Sequence, residues 1–443
     1  MANEMHRLIN ASDNIGLRQM LDGMNIVDIA AEFDELNEPD IVKVFRLLSK
    51  EKAADVFAYL SPDTKQNVIE SISDGEIGGI IDELFLDDAV DFIEEMPANV
   101  VKRVLANVTQ DRRDMINRFL QYPEDSAGSI MTIEFIDLKG HMTVAEAFSH
   151  IQRTGADKET IYTCYVTDDT RKLIGIVTAK TLLLADQERT VSEIMEANVI
   201  CAHTHDDQET VVNNLRKYGF MAMPVVDNEE RLVGIFTFDD AFTVQDEETT
   251  EDFESMAAIS HSEEPYLKTR VLKLSKNRIP WLLLLMVFAT FTGVLVEIFE
   301  NSLAALPALV AFIPMLMNTG GNAGSQSTTL IIRGMALDEI KQSDVFRVLW
   351  TETQVSLVCG VVLFVSTFIS VVLFGEGVIM AMTVCLAMLV TIVLSNVIGV
   401  FMTFGAKAAK MDPAVMAAPL LTNIVDAMAL IVYFVLAKAI FSI

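Results

Sequence analysis

Residues 314–329 read Pro314-Met-Leu-Met-Asn318-Thr-Gly320-Gly321-Asn322-Ala-Gly324-Ser325-Gln326-Ser327-Thr328-Thr329. They lie in an apolar run, about 304–332, long enough to span a bilayer, which takes about 20 mostly apolar residues. Yet the stretch holds three glycines, two asparagines, a glutamine and several hydroxyl residues. Small residues let helices approach and polar ones need partners, so one reading is a packing seam. The other is the wall of a pore or substrate path, and the density of polar groups favours it. Pro314 and Gly320-Gly321 are expected to break the helix and free carbonyls, which is tolerated only where protein or water covers them.

Four further runs qualify as spans: about 280–299, 346–374, 378–405 and 414–442. Lys268, Arg270, Lys273, Lys276 and Arg278 precede the first span. Arg333, Lys341 and Arg347 follow the second, and Lys407 and Lys410 follow the fourth. The opposite loops carry Glu297, Glu300 and Glu376 without Lys or Arg. Positive residues stay inside, so the N-terminus is expected in the cytoplasm and the C-terminus outside a plasma membrane. Asp426 falls near mid-membrane in the fifth span, with no basic residue at its depth. A carboxylate there costs about 2.5–3.5 kcal/mol on insertion scales, so a cation site outweighs a neutral, hydrogen-bonded Asp. Thr422 and Asn423 share its helical face. Asn396, beside Ser395, reads equally as an interhelical hydrogen bond or a pore group.

The chain has 443 residues, 62 Asp+Glu and 33 Lys+Arg, for a net charge of −29. Residues 279–443 account for only −3 of it and the first 278 for −26. A wholly soluble protein is excluded, nucleic acid is a poor partner for so negative a surface, and cations are the natural ligands. No cleaved signal peptide is expected from the polar start. Cys164, Cys201, Cys359 and Cys385 are too dispersed for a disulfide framework or zinc cluster. No phosphate-binding GxxxxGK[ST] loop is present, and no enzyme activity is expected.

The soluble half contains a repeat. Cys164-Tyr-Val-Thr-Asp168 through Thr178 matches Met223-Pro-Val-Val-Asp227 through Thr237 at an offset of 59. Each copy pairs two β-branched runs across a polar turn before a helical stretch, as in a duplicated βαββα unit. Residues 1–128 read as short acidic helices with starts at Ser49, Ser61, Ser73, Pro97 and Thr109, hence an all-α superhelix. Their carboxylates, Asp87 and Asp91 among them, form either a solvated face or a cation-sensing one. Residues 245–278 run from acidic to basic and read as one long connector helix.

The repeat resembles a pair of cystathionine-β-synthase-type (CBS) domains, 129–190 and 191–244. With Pro-x-x-x-x-Thr-Gly-Gly-Asn-x-Gly-x-Gln in the second span, the whole order resembles the MgtE family of magnesium channels. The fold class is then multidomain: an α-helical N-domain, an α/β CBS pair, a connector (245–278) and a five-span α-helical membrane domain (279–443). The resemblance implies a homodimer in the bacterial inner membrane, importing Mg2+ down its gradient, with Co2+, Mn2+ and Ni2+ as further divalent candidates. It places the pore lining at Asp426, Gly321, Asn322, Ser325, Thr329, Thr422 and Asn423. It also implies closure by cytosolic Mg2+ at Asp87, Asp91, Asp207, Glu209, Asp240, Glu248, Glu251 and Asp252. Gly219 and Thr243 stand where some members have Asp. ATP at the CBS pair would use Phe220, Thr237, Asp239 and Asp240, whereas the first copy has Thr181 at the ribose-binding position. Two alternatives remain: an ion-coupled secondary transporter of divalent cations, and a membrane-tethered nucleotide sensor.

Overall fold

The computed structural model describes residues 2–262, 266–267, 269–299, 304, 306–337, 339–416 and 418–442. It divides into two compact units, Met1–Gln245 and Asp246–Ile443.

The first unit opens with short helices: α1 (Ala2–Asn10), α2 (Asn14–Gly23), α3 (Ile26–Phe33), α4 (Glu38–Phe45), α5 (Lys50–Ala58), α6 (Pro62–Ser71), α7 (Asp74–Glu83), α8 (Leu86–Glu95), α9 (Ala98–Asn107) and α10 (Gln110–Phe119). From α3 onward the N-cap residues are Asn25, Asn37, Ser49, Ser61, Ser73, Phe85, Pro97 and Thr109, each 12 residues after the last. The starts read from the sequence fall on this series, which Asn25, Asn37 and Phe85 complete. Side-chain oxygens at Asn25, Asn37 and Ser49 accept from amides of the first turn, satisfying donors that the helix leaves free. Helices two apart stack, α3 on α5, α5 on α7 and α7 on α9. Phe33, Phe45 and Phe57 recur at the same interval and meet edge to face at 6.2 and 6.4 Å, and Phe57 meets Phe92 at 5.1 Å. Arg103 ties the layers by donating to the Ile69 and Ile72 carbonyls at the end of α6.

The repeat follows as β1 (Asp137–Lys139), α11 (Val144–Thr154), β2 (Thr163–Thr167), β3 (Leu173–Thr178), α12 (Ala179–Leu184), α13 (Val191–Ile194), β4 (Ala202–His203), α14 (Gln208–Tyr218), β5 (Ala222–Val226), β6 (Leu232–Thr237) and α15 (Phe238–Met256). In each copy a parallel strand pair continues into an antiparallel pair. Thr163 faces Thr178 in one copy and Ala222 faces Thr237 in the other, with the register slipping after Val166 and Val225. The copies also exchange edges. Thr132, ahead of β1, pairs with Ile235 on β6 through two 2.8 Å hydrogen bonds, and Glu196, ahead of β4, pairs with Ile176 on β3. This crossing explains the repeated glycine. A Cβ on Gly234 would lie 2.6 Å from the Met131 sulfur, and one on Gly175 2.6 Å from the Met195 sulfur.

The second unit holds α16 (Val271–Ile298), a 3-10 segment Pro307–Phe312, α17 (Ile313–Ala336), α18 (Val345–Leu373), α19 (Val378–Ala408) and α20 (Ala418–Phe441). Four helices among the described residues are long and apolar enough to cross a membrane: Val271–Ile298, Gln342–Leu373, Val378–Ala408 and Pro419–Phe441. The fifth, α17, falls short because of its polar residues. Helix α19 packs against α17, α18 and α20, around a core with Leu316, Met388, Tyr433 and Phe434.

Three expectations change. Helix α17 runs unbroken through Gly320 and Gly321, and Pro314 sits in its first turn, where the missing amide costs no bond. It starts at Ile313 rather than 304 because the preceding turn is a 3-10 helix opened by Pro307. The connector is not one helix. Helix α15 ends at Met256, where Ala258 takes φ 54° and the Ile259 amide bonds back to the Glu254 carbonyl at 2.9 Å. The basic residues Lys273, Lys276 and Arg278 belong to the start of α16.

Candidate ion pathway and acidic cluster

Helix α17 has two distinct faces. Gly320, Gly324, Ser327, Thr328 and Ile331 are buried. Asn318, Asn322, Gln326 and Thr329 are exposed and Ser325 is half-buried, one polar strip at helical spacing. The buried face meets α19: the Ser395 hydroxyl donates to the Gly320 carbonyl at 2.6 Å. It also meets α20. A Cβ on Gly320 would approach Val425 to 3.0 Å, and one on Gly321 would approach Thr422 to 3.0 Å. The glycines therefore set the distance between the polar strip and the helix carrying Asp426. Asp426, Thr422 and Asn423 are half-buried. The Asn423 amide donates to the Pro419 carbonyl at 3.1 Å, and Asn322 donates to Asn318 at 3.4 Å.

At Gly324 the added Cβ would lie 2.3 Å from the Ser395 hydroxyl and 3.1 Å from Leu421. Gly324→Ala is therefore expected to overpack the α17–α19 seam, at a cost of about 1–3 kcal/mol. Thermal unfolding of the detergent-solubilised protein should show a clear loss, larger than that of Gly321→Ala. Equal midpoints for Gly324→Ala and wild type would mean the seam is looser than this.

In the first unit, carboxylates from distant segments gather. Helix α8 brings Asp87, Asp88 and Asp91, the segment after α11 brings Glu159, and the start of α15 brings Asp239 and Asp240. Burial, then the Asp240 charge, raise Asp87 well above the usual carboxylate range. Burial, then Asp239, push Glu159 up to about 7. Burial lifts Asp240 to about 6 against the hydrogen bond from Thr237. Asp91 is raised to about 7 by desolvation and then by Asp88, against the Lys65 charge. Two bases lie nearby. Lys65, buried in α6, has its ammonium 3.9 Å from Glu95, and Arg112 lies 3.5 Å from Glu134. Among the described residues no three of the acids converge on one coordination sphere; the cluster is an acidic face.

Asp207 caps α14, accepting from the Thr210 amide at 3.3 Å, and Glu209, two residues on, is exposed. Glu248, Glu251 and Asp252 lie along α15. Asp252 is half-buried and raised to about 6, by burial and then by Asp412. Sequence reasoning missed Glu159 and Asp412, which stand outside the long charge runs and meet the other acids only through folding. Thr237 is buried and bonded to Asp240, on which the charges of Asp239 and Asp88 act. Phe220 stacks on Tyr218 at 5.5 Å. In the first copy the Thr178 and Thr181 hydroxyls bond each other at 2.9 Å.

The family model described as a divalent cation transporter, MgtE, matches residues 313–436. The MgtE intracellular N domain matches 24–125, and the CBS domain matches 127–188 and 191–247. The magnesium transporter MgtE of Thermus thermophilus is 34% identical over 80% of this chain and 79% of its own. That of Bacillus subtilis is 29% identical over 80% and 78%. The first unit resembles the crystal structure of the cytosolic domain of the Mg2+ channel MgtE in complex with ATP. That match has a TM-score of 0.53 and 34% identity, and covers 55% of this chain and 100% of the other. With its helical domain, repeat pair and membrane helices all matched in order, the chain belongs to the MgtE family of divalent cation transporters.

Proposed function

We propose that two copies of this chain form a Mg2+ channel in the plasma membrane, closed from the cytoplasmic side by Mg2+ itself. The observation that carries the reading is the exposed polar strip of α17 beside the α20 segment with Asp426. Such a strip does not face lipid, and a second copy across a two-fold axis would enclose it around water. Mg2+ sheds its waters reluctantly and prefers octahedral oxygen coordination. Two Asp426 carboxylates, with amide and hydroxyl oxygens of Asn322, Ser325, Thr329, Thr422 and Asn423, hold a largely hydrated ion through those waters. A potential of about −100 mV contributes roughly 4.6 kcal/mol to inward movement of a divalent cation, so no pump is required. The five helices cross the membrane with the N-terminus in the cytoplasm and the C-terminus outside, following the basic residues between α17 and α18 and after α19.

The gate is the set of acidic faces. Without cations the carboxylates at Asp87, Asp91, Glu159 and Asp240 repel one another, and burial together with that repulsion makes each bind a proton more tightly than a free carboxylate. Divalent ions at this face, and at Asp207, Glu209, Glu248, Glu251 and Asp252, relieve the repulsion and favour the closed form. Mg2+ gates only because it binds that form more tightly. ATP is a weaker ligand here than in the ATP-bound relative, since Thr181 offers no carboxylate to a ribose and Asp240 stands among other acids.

The test is Mg2+ influx into proteoliposomes at low and high Mg2+ on the cytoplasmic face. Influx that saturates only slowly, ignores imposed proton and sodium gradients and falls with cytoplasmic Mg2+ is expected. A flux that follows a proton or sodium gradient would replace the channel by a coupled transporter. Glu251→Gln with Asp252→Asn should blunt the cytoplasmic inhibition. Unchanged inhibition would remove these two residues from the gate.

A further inference from the structure

One carboxylate in the membrane helices has no part in the pathway just described. Glu352 lies on α18, seven residues after its first residue, Val345, or about 10 Å of helix rise. It belongs to none of the ion pairs among the described residues. Its partner is a neutral amide: Asn396 Nδ2 on α19 donates to Glu352 Oε2 at 3.2 Å. Asn396 is only 5% exposed, and its Oδ1 is buried without a hydrogen-bond partner among the described residues. Ser356, one turn beyond Glu352 and 1% exposed, donates its hydroxyl to the Glu352 carbonyl at 2.6 Å, which leaves the oxygen's lone pairs for another ligand.

These groups share one need. A carboxylate among apolar helices requires a neutralising charge, and a buried amide oxygen requires something electropositive. Turning the amide over exchanges Nδ2 and Oδ1. It then sets two oxygens side by side, a repulsive arrangement unless a positive charge lies between them. The nearby charged groups do not supply it. Arg333 on α17, Arg347 on α18 and Lys407 on α19 stand towards the helix ends and form no ion pair with Glu352, and the Cys385 thiol donates to the Phe364 carbonyl instead.

We propose that Glu352 and Asn396, with Ser356 beside them, form a second cation site within each chain, separate from Asp426, that takes a single positive charge. One carboxylate and neutral oxygens match the charge of a small alkali-metal ion. They do not match Mg2+, which keeps waters and seeks octahedral coordination. The site lies between α18 and α19, whereas Asp426 is on α20. Its occupancy bears on the pathway indirectly, because Ser395, adjacent to Asn396, holds the Gly320 carbonyl of α17. The proposal does not depend on Mg2+ being the transported ion.

The experiment is thermal unfolding of the full-length, detergent-solubilised protein in chelator, with wild type beside Glu352→Gln. LiCl, NaCl or KCl replaces N-methyl-D-glucamine chloride at constant ionic strength, and a second series runs from pH 5 to 9 in the organic salt. The cytoplasmic carboxylates respond equally in both proteins and cancel in the difference. A midpoint rise of at least 3 °C in wild type, specific to one alkali ion and absent in Glu352→Gln, identifies a metal ion. A difference that follows pH alone, with no response to any alkali ion, overturns the site. Identical responses in every series overturn the site. Should Glu352→Gln not fold, Asn396→Asp supplies the measurement. A second carboxylate should lower the half-saturating ion concentration at least tenfold, and no change overturns the site.

Discussion

Asp426→Ala is expected to lower Mg2+ influx into proteoliposomes at least a hundredfold while leaving the protein as stable as wild type or more so. Two unit charges about 4 Å apart interact by about 4 kcal/mol at an effective dielectric constant of about 20, and a divalent ion doubles this. Losing even half of the attraction exceeds the roughly 2.7 kcal/mol that a hundredfold change in rate represents. Stability should move the opposite way, because a carboxylate costs about 2.5–3.5 kcal/mol in the middle of a membrane helix on insertion scales and alanine removes that cost. Helix α20 is otherwise held by Leu430, Tyr433, Phe434 and Ala437 in the core, none of which the substitution touches. Influx above half the wild-type rate would exclude Asp426 from the pathway. Lost influx with a fall in melting temperature would make it a structural residue instead.

The second large effect lies in the acidic face. Asp87→Asn with Asp240→Asn is expected to raise the melting temperature in chelator at pH 8 by at least 5 °C and to raise the Mg2+ needed for half-inhibition of influx at least tenfold. Asp87, Asp91, Glu159 and Asp240 all bind protons more tightly folded than unfolded. Their contribution therefore favours folding below the unfolded carboxylate range and is lost as pH rises from about 4 through about 7. For Asp240 alone, a rise from 3.8 to about 6 amounts to about 3 kcal/mol at full ionisation. Chelated wild type should thus melt lower at pH 8 than at pH 5, and Mg2+ should restore more at pH 8, where it competes with fewer protons. The double variant should show a flatter profile. A profile as steep as wild type would show that other acids dominate.

Particular residues show how much could be read beforehand. The helix starts at Ser49, Ser61 and Ser73 carry their own signal, since a hydroxyl at the cap has a local physical purpose. Phe85 holds the same place in the 12-residue series with no capping side chain, and nothing local marks it. The repeat was legible because both copies keep an offset of 59, down to the register slip after Val166 and Val225. The break after Met256 was not: no Gly or Pro announces it, and Ala258 takes the positive φ instead. Asp426 stood out against an apolar background. Glu352 did not, because it lies close enough to Arg347 in sequence to pass for a surface charge. The acidic face was half legible. Asp87 and Asp91 come from a charge run, but Glu159 joins them only when the chain returns from more than sixty residues away.

The exchanged edges of the repeat have a mechanical consequence. Thr132 is stitched to Ile235, and β6 passes without a loop into α15 three residues later. Tension arriving from the helical superhelix therefore reaches the root of α15 through two backbone hydrogen bonds, bypassing the strands of the first copy. The first copy, stitched in turn through Glu196, acts as a brace that resists shear. A cut between the copies would leave each half with an unpaired strand edge, so the duplication works as a single transmission that cannot be divided into two independent modules.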